Sequence, residues 1–350
     1  MSRVPLIPIL SLGLILAAAA GAQSGPATPP AKSAKPAWVA PGTPGSPIDG
    51  TIFHAQVLLD VSGFPTGVID GKKGMVFKKA IQGFQQSRDL PISGELDGPT
   101  RQALMAQHRP STIMVKLAPE QVAGPFVYPF PKKPEAQAAL PAMSYRNMLE
   151  KVAESYHTTP DTIVALNGPT ALIGPGQTLR LPNILPASLD YSGDLKPEYK
   201  AVMAGLNVDG APALGQSIVV DKSEGVLKVL GEGDRLVAQF PVTMGSGHDP
   251  LPLGTWKVTT YAYMPPFHYQ PELFWDVDDG KSEQKLKPGP NGPVGVAWLD
   301  LTKEHYGIHG TPSPETIGRA ESHGCIRMTN WDVLRLSRML KPGFKAVFQA

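Results

Sequence analysis

Cysteine is nearly absent. The chain has 350 residues and one cysteine, Cys325, so an intramolecular disulfide is excluded. Net charge is also scarce: 32 Lys and Arg against 30 Asp and Glu leave a formal +2, too mild for a nucleic-acid partner and compatible with an anionic cell envelope. No apolar run other than residues 7–20 is long, so no membrane contact is expected once that segment is removed. A Gly-rich phosphate loop is missing, which argues against nucleotide chemistry. His305, His309, His323 and Cys325 are zinc-type side chains. However, no Glu stands in a zincin arrangement, and 306–308 reads as strand, so neither a metal nor another cofactor is expected.

What is present begins with an export pattern. Residues 1–22 read as a signal peptide: Arg3 supplies the positive end, 7–20 is apolar, and Ala20-Gly21-Ala22 fits a small-x-small cleavage site before Gln23. Pro5 and Pro8 weaken the alternative of an uncleaved anchor. No cysteine follows the apolar run, so a lipoprotein anchor is not expected. Residues 23–50 are rich in Pro, Ala, Gly and Ser, cannot bury a core, and read as an extended linker.

Three further segments precede a β-rich C-terminal part. In 51–108, Val76, Ala80 and Phe84 recur at spacing four with Phe77 and Ile81 beside them, predicting a helix. The turns Gly67-Val68-Ile69-Asp70-Gly71 and Ser93-Gly94-Glu95-Leu96-Asp97 separate it from helix candidates at 53–59 and 100–104. The order of Asp70-Gly71, Ala80, Phe84-Gln85, Leu90, Gly94 and Thr100 resembles the three-helix peptidoglycan-binding domain of bacterial wall enzymes. Residues 109–141 read as a proline-broken linker. In 142–184, helix candidates at 148–156 and 160–167 precede Gly174-Pro175-Gly176-Gln177-Thr178-Leu179 and a short strand. Asn167 and the Pro175–Leu179 run resemble a LysM domain, a small α+β fold that binds N-acetylglucosamine glycans. The opening Ser144-Tyr145-Arg146-Asn147-Met148 departs from that family's Gly-Asp-Thr-Leu. Residues 185–215 read as a connector.

Residues 216–350 predict many short strands and one helix, hence a mostly-β sandwich or barrel. Strands are expected near 218–220, 226–230, 236–243, 256–261, 294–299, 306–308 and 344–348. The helix starts at a Thr329 cap with Asp332 three residues on, carries Val333, Leu336 and Leu340 as its apolar stripe, and ends at Pro342-Gly343. Cys325 follows Ser322-His323-Gly324 and enters a strand, and His309-Gly310-Thr311 closes another. A thiolate beside an imidazole is a nucleophile. Glycine before the cysteine lets substrate approach and frees the Gly324 and Cys325 amides to hold an oxyanion. The bland alternative is a buried structural cysteine beside a solvated histidine.

His309-Gly310-Thr311 and Ser322-His323-Gly324-Cys325-Ile326-Arg327-Met328 resemble the signature of the YkuD-type L,D-transpeptidases. Pro252-Leu253-Gly254-Thr255-Trp256, Gly292-Pro293-Val294-Gly295 and Ile317-Gly318 stand in the same order, and the likeness spans roughly 217–348. The resemblance implies a β-sandwich with one main helix. It implies attack by Cys325 on the carbonyl between the third residue of a tetrapeptide stem, a diamino acid, and its terminal D-alanine, then transfer of the acyl group to an amine. It implies His309 as the base, oriented by the Gly310 carbonyl; His323 stays open as the alternative base or a pocket-shaping residue. Arg327 is a candidate for a stem carboxylate. Ser322 and Thr311 are candidate turn or pocket residues. Tyr261, Tyr263, Phe267, Tyr269 and Trp275 flank a stretch to about 292 that reads as a lid, with Tyr263 and Phe267 as candidate substrate contacts. Acylation by carbapenems is a further expectation of the family. The expected partners are peptidoglycan stems and glycan strands, and a wall-attached protein as one acceptor. The expected location is periplasm or cell wall. Hydrolysis on the same site, as an L,D-carboxypeptidase, and a non-catalytic wall-binding role remain the competing readings.

Overall fold

The computed structural model describes residues 38–39, 46–191, 193, 195–273, 281–320 and 324–350. The expected signal segment, most of the 23–50 linker, Trp275, Ser322 and His323 lie outside the described residues.

Helices α1 (Gly50–Val61), α2 (Met75–Ser87) and α3 (Gly98–Met105) form the first module. Asp49 caps α1 by accepting from the Thr51 and Ile52 amides, and Asp97 caps α3 by accepting from Thr100. Phe77, Ala80, Ile81 and Phe84 turn one face of α2 into a core with Leu58, Leu59, Phe64 and Leu104. Phe84 meets Phe64 edge-on at 5.9 Å, so its ring is core.

The segment 109–141 is not a plain linker. It holds strand β1 (Thr112–Lys116) and the short helices α4 (Pro119–Val122) and α5 (Pro134–Ala138). After α6 (Met148–Ser155) and α7 (Pro160–Asn167), β2 (Thr178–Pro182) returns antiparallel to β1, with Thr112 opposite Pro182 and Lys116 opposite Thr178. The second module is therefore a two-stranded sheet with α4 to α7 between its strands in the chain, and it begins about thirty residues before 142. The expected connector 185–215 likewise contains α8 (Pro197–Gly205), which buries Met203. Prolines at helix starts, at 119, 134 and 197, look like loop signals in sequence but suit the first turn.

The C-terminal part is one ladder of eight strands, not two separate sheets. These are β3 (Ser217–Asp221), β4 (Val226–Leu230), β5 (Leu236–Pro241), β6 (Gly254–Tyr263), β9 (Ala297–Leu301), β10 (Gly307–His309), β11 (Ile326–Arg327) and β12 (Lys345–Gln349). Their order is β11-β10-β9-β6-β12-β3-β4-β5. Strand β6 joins the halves: residues 254–257 pair with β12, residues 258–263 with β9, and the register shifts between Val258 and Tyr261. A bulged strand that serves two half-sheets is how a sandwich turns a corner. A separate hairpin pairs β7 (Phe267–Tyr269) with β8 (Gln284–Leu286). Helix α9 (Asn330–Met339) is capped by Thr329, whose hydroxyl accepts from Asp332 N at 3.1 Å, and buries Trp331, Val333, Leu334 and Leu336 in the core that both halves share.

From Trp38 onward the described residues belong to a single unit of contacts. Its joint is polar. Arg335 of α9 donates to both Asp60 oxygens, at 3.0 and 2.6 Å, and to Asp332 at 3.2 Å; His157 bonds Asp60 at 3.1 Å and stacks on Trp331 at 4.9 Å. Asp60, His157 and Asp332 are fully buried. Asp60 belongs to the first module, His157 to the second and Arg335 to the third, so one buried cluster ties all three.

Candidate active site

Cys325 stands at the threshold of β11, which runs parallel to β10 with Ile308 opposite Ile326 and His309 opposite Arg327. Alternation sends Ile326 into the core, fully buried, and leaves Cys325 and Arg327 on the other face. Gly324 has φ +96, and a Cβ there would lie 2.7 Å from the Tyr306 ring, so the turn before the cysteine needs glycine twice over. The thiol reaches the His305 carbonyl at 3.7 Å, and the Gly307 amide donates to the sulfur.

His309 is buried at the end of β10 and its ring stacks on Trp298, 5.3 Å between centroids and 15° between planes. Its Nδ1 lies 2.7 Å from the Gly310 carbonyl oxygen. A carbonyl only accepts, so Nδ1 carries the proton and Nε2 keeps the lone pair of a base. Burial holds the imidazole down to about 4; the Arg327 guanidinium pushes the same way, and the Gly310 bond opposes. Burial raises the Cys325 thiol above its ordinary value, against the Gly307 amide and Arg327. At neutral pH the resting pair is therefore a neutral thiol and a neutral imidazole, not the thiolate beside an imidazole expected from the motif.

Cys325, His309 and Arg327 line one cavity of about 530 Å³. Phe267 and Tyr269 of β7 and Leu286 of β8, from the stretch read as a lid in sequence, line it as well. Pro134 and Gln137 of α5 line it too, so the supposed linker supplies part of the cavity wall. Trp298 and Tyr306 complete the floor; neither was singled out in sequence, where an aromatic on a strand looks like ordinary core.

Other expected residues fall elsewhere. Tyr263 is not among the cavity residues: its hydroxyl donates to Ser337 at 3.1 Å and its ring leans on Tyr199, so packing against α8 and α9 replaces the expected substrate contact. Tyr261 likewise donates to the Leu340 carbonyl at 2.9 Å. Thr311 is buried and accepts from the Ser313 amide at 3.3 Å, a turn role. Gly310 supplies the carbonyl that orients His309. Ser322 and His323 lie outside the described residues. No cluster of three metal-ligating side chains occurs among the described residues.

Residues 215–348 match the "L,D-transpeptidase catalytic domain" family, and residues 51–104 match "Putative peptidoglycan binding domain". The "Putative L,D-transpeptidase YkuD" of Bacillus licheniformis is 30% identical over 188 residues, covering 49% of this chain and 93% of the relative. The chain belongs to the YkuD-type L,D-transpeptidase family. The "Putative L,D-transpeptidase YqjB" of Bacillus subtilis is 27% identical over 135 residues, 37% of this chain and 69% of that one. Among solved structures, an L,D-transpeptidase from Mycobacterium smegmatis is 21% identical, with a TM-score of 0.32 over 38% of this chain and 58% of that chain. A mostly-β L,D-transpeptidase domain behind a helical peptidoglycan-binding region makes this a peptidoglycan enzyme of the L,D-transpeptidase class. No helix among the described residues is long and apolar enough to cross a membrane.

Proposed function

We propose that the protein is exported and that Cys325 forms a thioester with a peptidoglycan tetrapeptide stem. The observation that carries the reading is Cys325 and His309 lining one cavity from paired parallel strands, with His309 Nδ1 bound to the Gly310 carbonyl. The thiol proton passes to Nε2 as sulfur attacks the carbonyl carbon next to the terminal D-alanine. The Gly324 and Cys325 amides receive the oxyanion. The carbon–nitrogen bond then breaks, Nε2–H protonates the departing amine, and D-alanine leaves. An acceptor amine attacks the thioester, gives its proton to Nε2, and the thiol is restored. Because both groups rest neutral, His309 works as a base during attack and not as a standing counter-ion. Arg327, on the cavity face beside the thiol, suits a stem carboxylate.

The second module is read as LysM-like and glycan-binding. Its helices lie between two antiparallel strands. Asn167, which carried the resemblance, donates to the Ile163 and Arg180 carbonyls at 2.9 Å each, joining α7 to β2. Periplasm or cell wall is the proposed location, and a wall-attached protein is one possible acceptor.

Incubation of the purified chain with disaccharide tetrapeptides, followed by mass spectrometry, tests the assignment. A D-alanine-depleted dimer is the expected product. A shortened monomer alone would reassign the enzyme to hydrolysis, and unchanged substrate would remove the proposal.

A further inference from the structure

The Gly310 carbonyl that orients His309 does not stand alone. Behind it lies Asn330, the first residue of α9 and fully buried. Its carboxamide oxygen accepts from the Val296 amide at 3.1 Å. Two glycine backbones press on that oxygen: a Cβ on Gly310 would sit 2.1 Å from it, and a Cβ on Gly295 would sit 1.9 Å away. The carboxamide nitrogen donates to the Pro290 carbonyl at 3.1 Å and to Glu154 Oε1 at 2.7 Å. Glu154 belongs to α6, in the second module, and is 6% exposed. The Tyr145 side chain also bonds Glu154, and a carboxylic group taken out of water to meet these two partners is costly unless it is needed there. Burial raises its pKa to about 7, against the bonds from Tyr145 and Asn330.

We infer that Glu154 and Asn330 are positioning residues for His309: the accessory module's carboxyl fixes the Asn330 carboxamide, and the carboxamide fixes the Gly295–Gly310 backbone whose carbonyl selects the Nδ1–H tautomer. The second module is then part of the catalytic apparatus and not only a tether. Neither residue touches the cavity that holds Cys325. The inference rests on His309 as the proton carrier.

The test uses the full chain with histidine-selective ¹⁵N labelling. It also follows acylation of Cys325 by a tetrapeptide stem ending in diamino acid–D-alanine, read as an intact-protein mass shift. Glu154→Met fills the space but offers Asn330 no good acceptor. It is expected to slow acylation about tenfold at unchanged KM, the scale of a small misplacement of a catalytic group. The His309 ring signals should move from a pure Nδ1–H tautomer toward a mixture. Glu154→Gln keeps an acceptor oxygen and is expected to restore most of both. Asn330→Ser, too short to reach Glu154, should repeat the Met result. A folded Glu154→Met with unchanged tautomer and rate overturns the inference, as does a Gln variant as impaired as Met. Unfolding of both the Met and Ser variants overturns it too, since the pair would then serve the fold. His309→Ala separates the failures: if it acylates normally, the proposed mechanism is wrong, whereas the tautomer readout needs no activity.

Discussion

The joint between the modules and the catalytic cavity both bury ionisable groups, and they treat them oppositely. At the joint, Arg335 meets Asp60 through two bonds and Asp332 through a third, so a buried cation faces a buried anion at Asp60, while burial lifts the Asp332 pKa to about 7. Burial works against the Asp60 carboxylate, but Arg335 and His157 outweigh it and hold its pKa well below the usual range. At the cavity, Arg327 has beside it a thiol and an imidazole, both of which rest neutral. Paired charges lower the energy of one folded arrangement and have little left to give. Unspent charge beside neutral, proton-exchanging groups is what a reaction can draw on. Joint residues should therefore govern stability, and cavity residues should govern rate.

The largest expected effect is at the cavity. Cys325→Ala removes the nucleophile, so acyl-enzyme should be undetectable by mass, while the melting temperature stays within about 2 °C of wild type because only one sulfur is lost. Persistence of product would break the comparison at once. Next is His309→Ala, expected to lower the acylation rate by about 10²- to 10⁴-fold, the range for a general base. The joint comes third. Asp60→Ala takes two carboxylate bonds from Arg335, leaves it the bond to Asp332, and should cost about 3 kcal/mol in urea unfolding, the low end for breaking a buried pair, with kcat of the folded fraction unchanged. Its pH signature follows from the sign of the shift. A carboxylate held below its ordinary value of 3.8 contributes stability above that pH and loses it as pH falls further, so the Asp60→Ala protein should lack that share of the acid limb.

The same contrast explains what the sequence could reveal. Local signals were strong around the chemistry: the Thr329 cap, the Val333 and Leu336 stripe, and the alternation that buries Ile326 between Cys325 and Arg327 are each set within a few residues. Long-range partners had no such signal. Strand β1 exists because Thr112–Lys116 meets Thr178–Pro182, a pairing across more than sixty residues, and its surroundings read as proline-broken loop. Tyr263 looked like a cleft aromatic because it neighbours the stretch read as a lid, but its hydroxyl finds Ser337 of α9, more than seventy residues on. Asn330 looked like a helix-start residue, and only tertiary contact with Gly295, Gly310 and Glu154 discloses more.

A smaller effect sharpens the electrostatic half of the comparison. Because burial raises the Cys325 thiol, alkylation by iodoacetamide should climb with pH through a midpoint above the ordinary thiol value of 9.0. Arg327 opposes the rise, so Arg327→Leu should move that midpoint higher still. A midpoint below neutral pH would mean a standing thiolate, and the resting pair would be an ion pair after all.

The smallest effect concerns the wall where, among the described residues, an accessory element enters the cavity. Helix α5 packs on β8 of the β7–β8 hairpin, and Gln137 Nε2 donates to the Pro131 carbonyl at 2.9 Å, which holds the helix start. The same arm is fastened at its far end, where Met143 N donates to the Pro288 carbonyl at 3.0 Å and Asn291 Nδ2 to the Ser144 carbonyl at 3.0 Å. The wall it offers is shape without a titrating group, so it bears on binding and not on proton transfer. Gln137→Ala should therefore raise KM for the stem about two- to threefold with kcat unchanged, the mark of lost uniform binding. If kcat falls instead, α5 belongs with the reacting groups, and the separation of a rate-setting cavity from stability-setting module contacts fails at this wall.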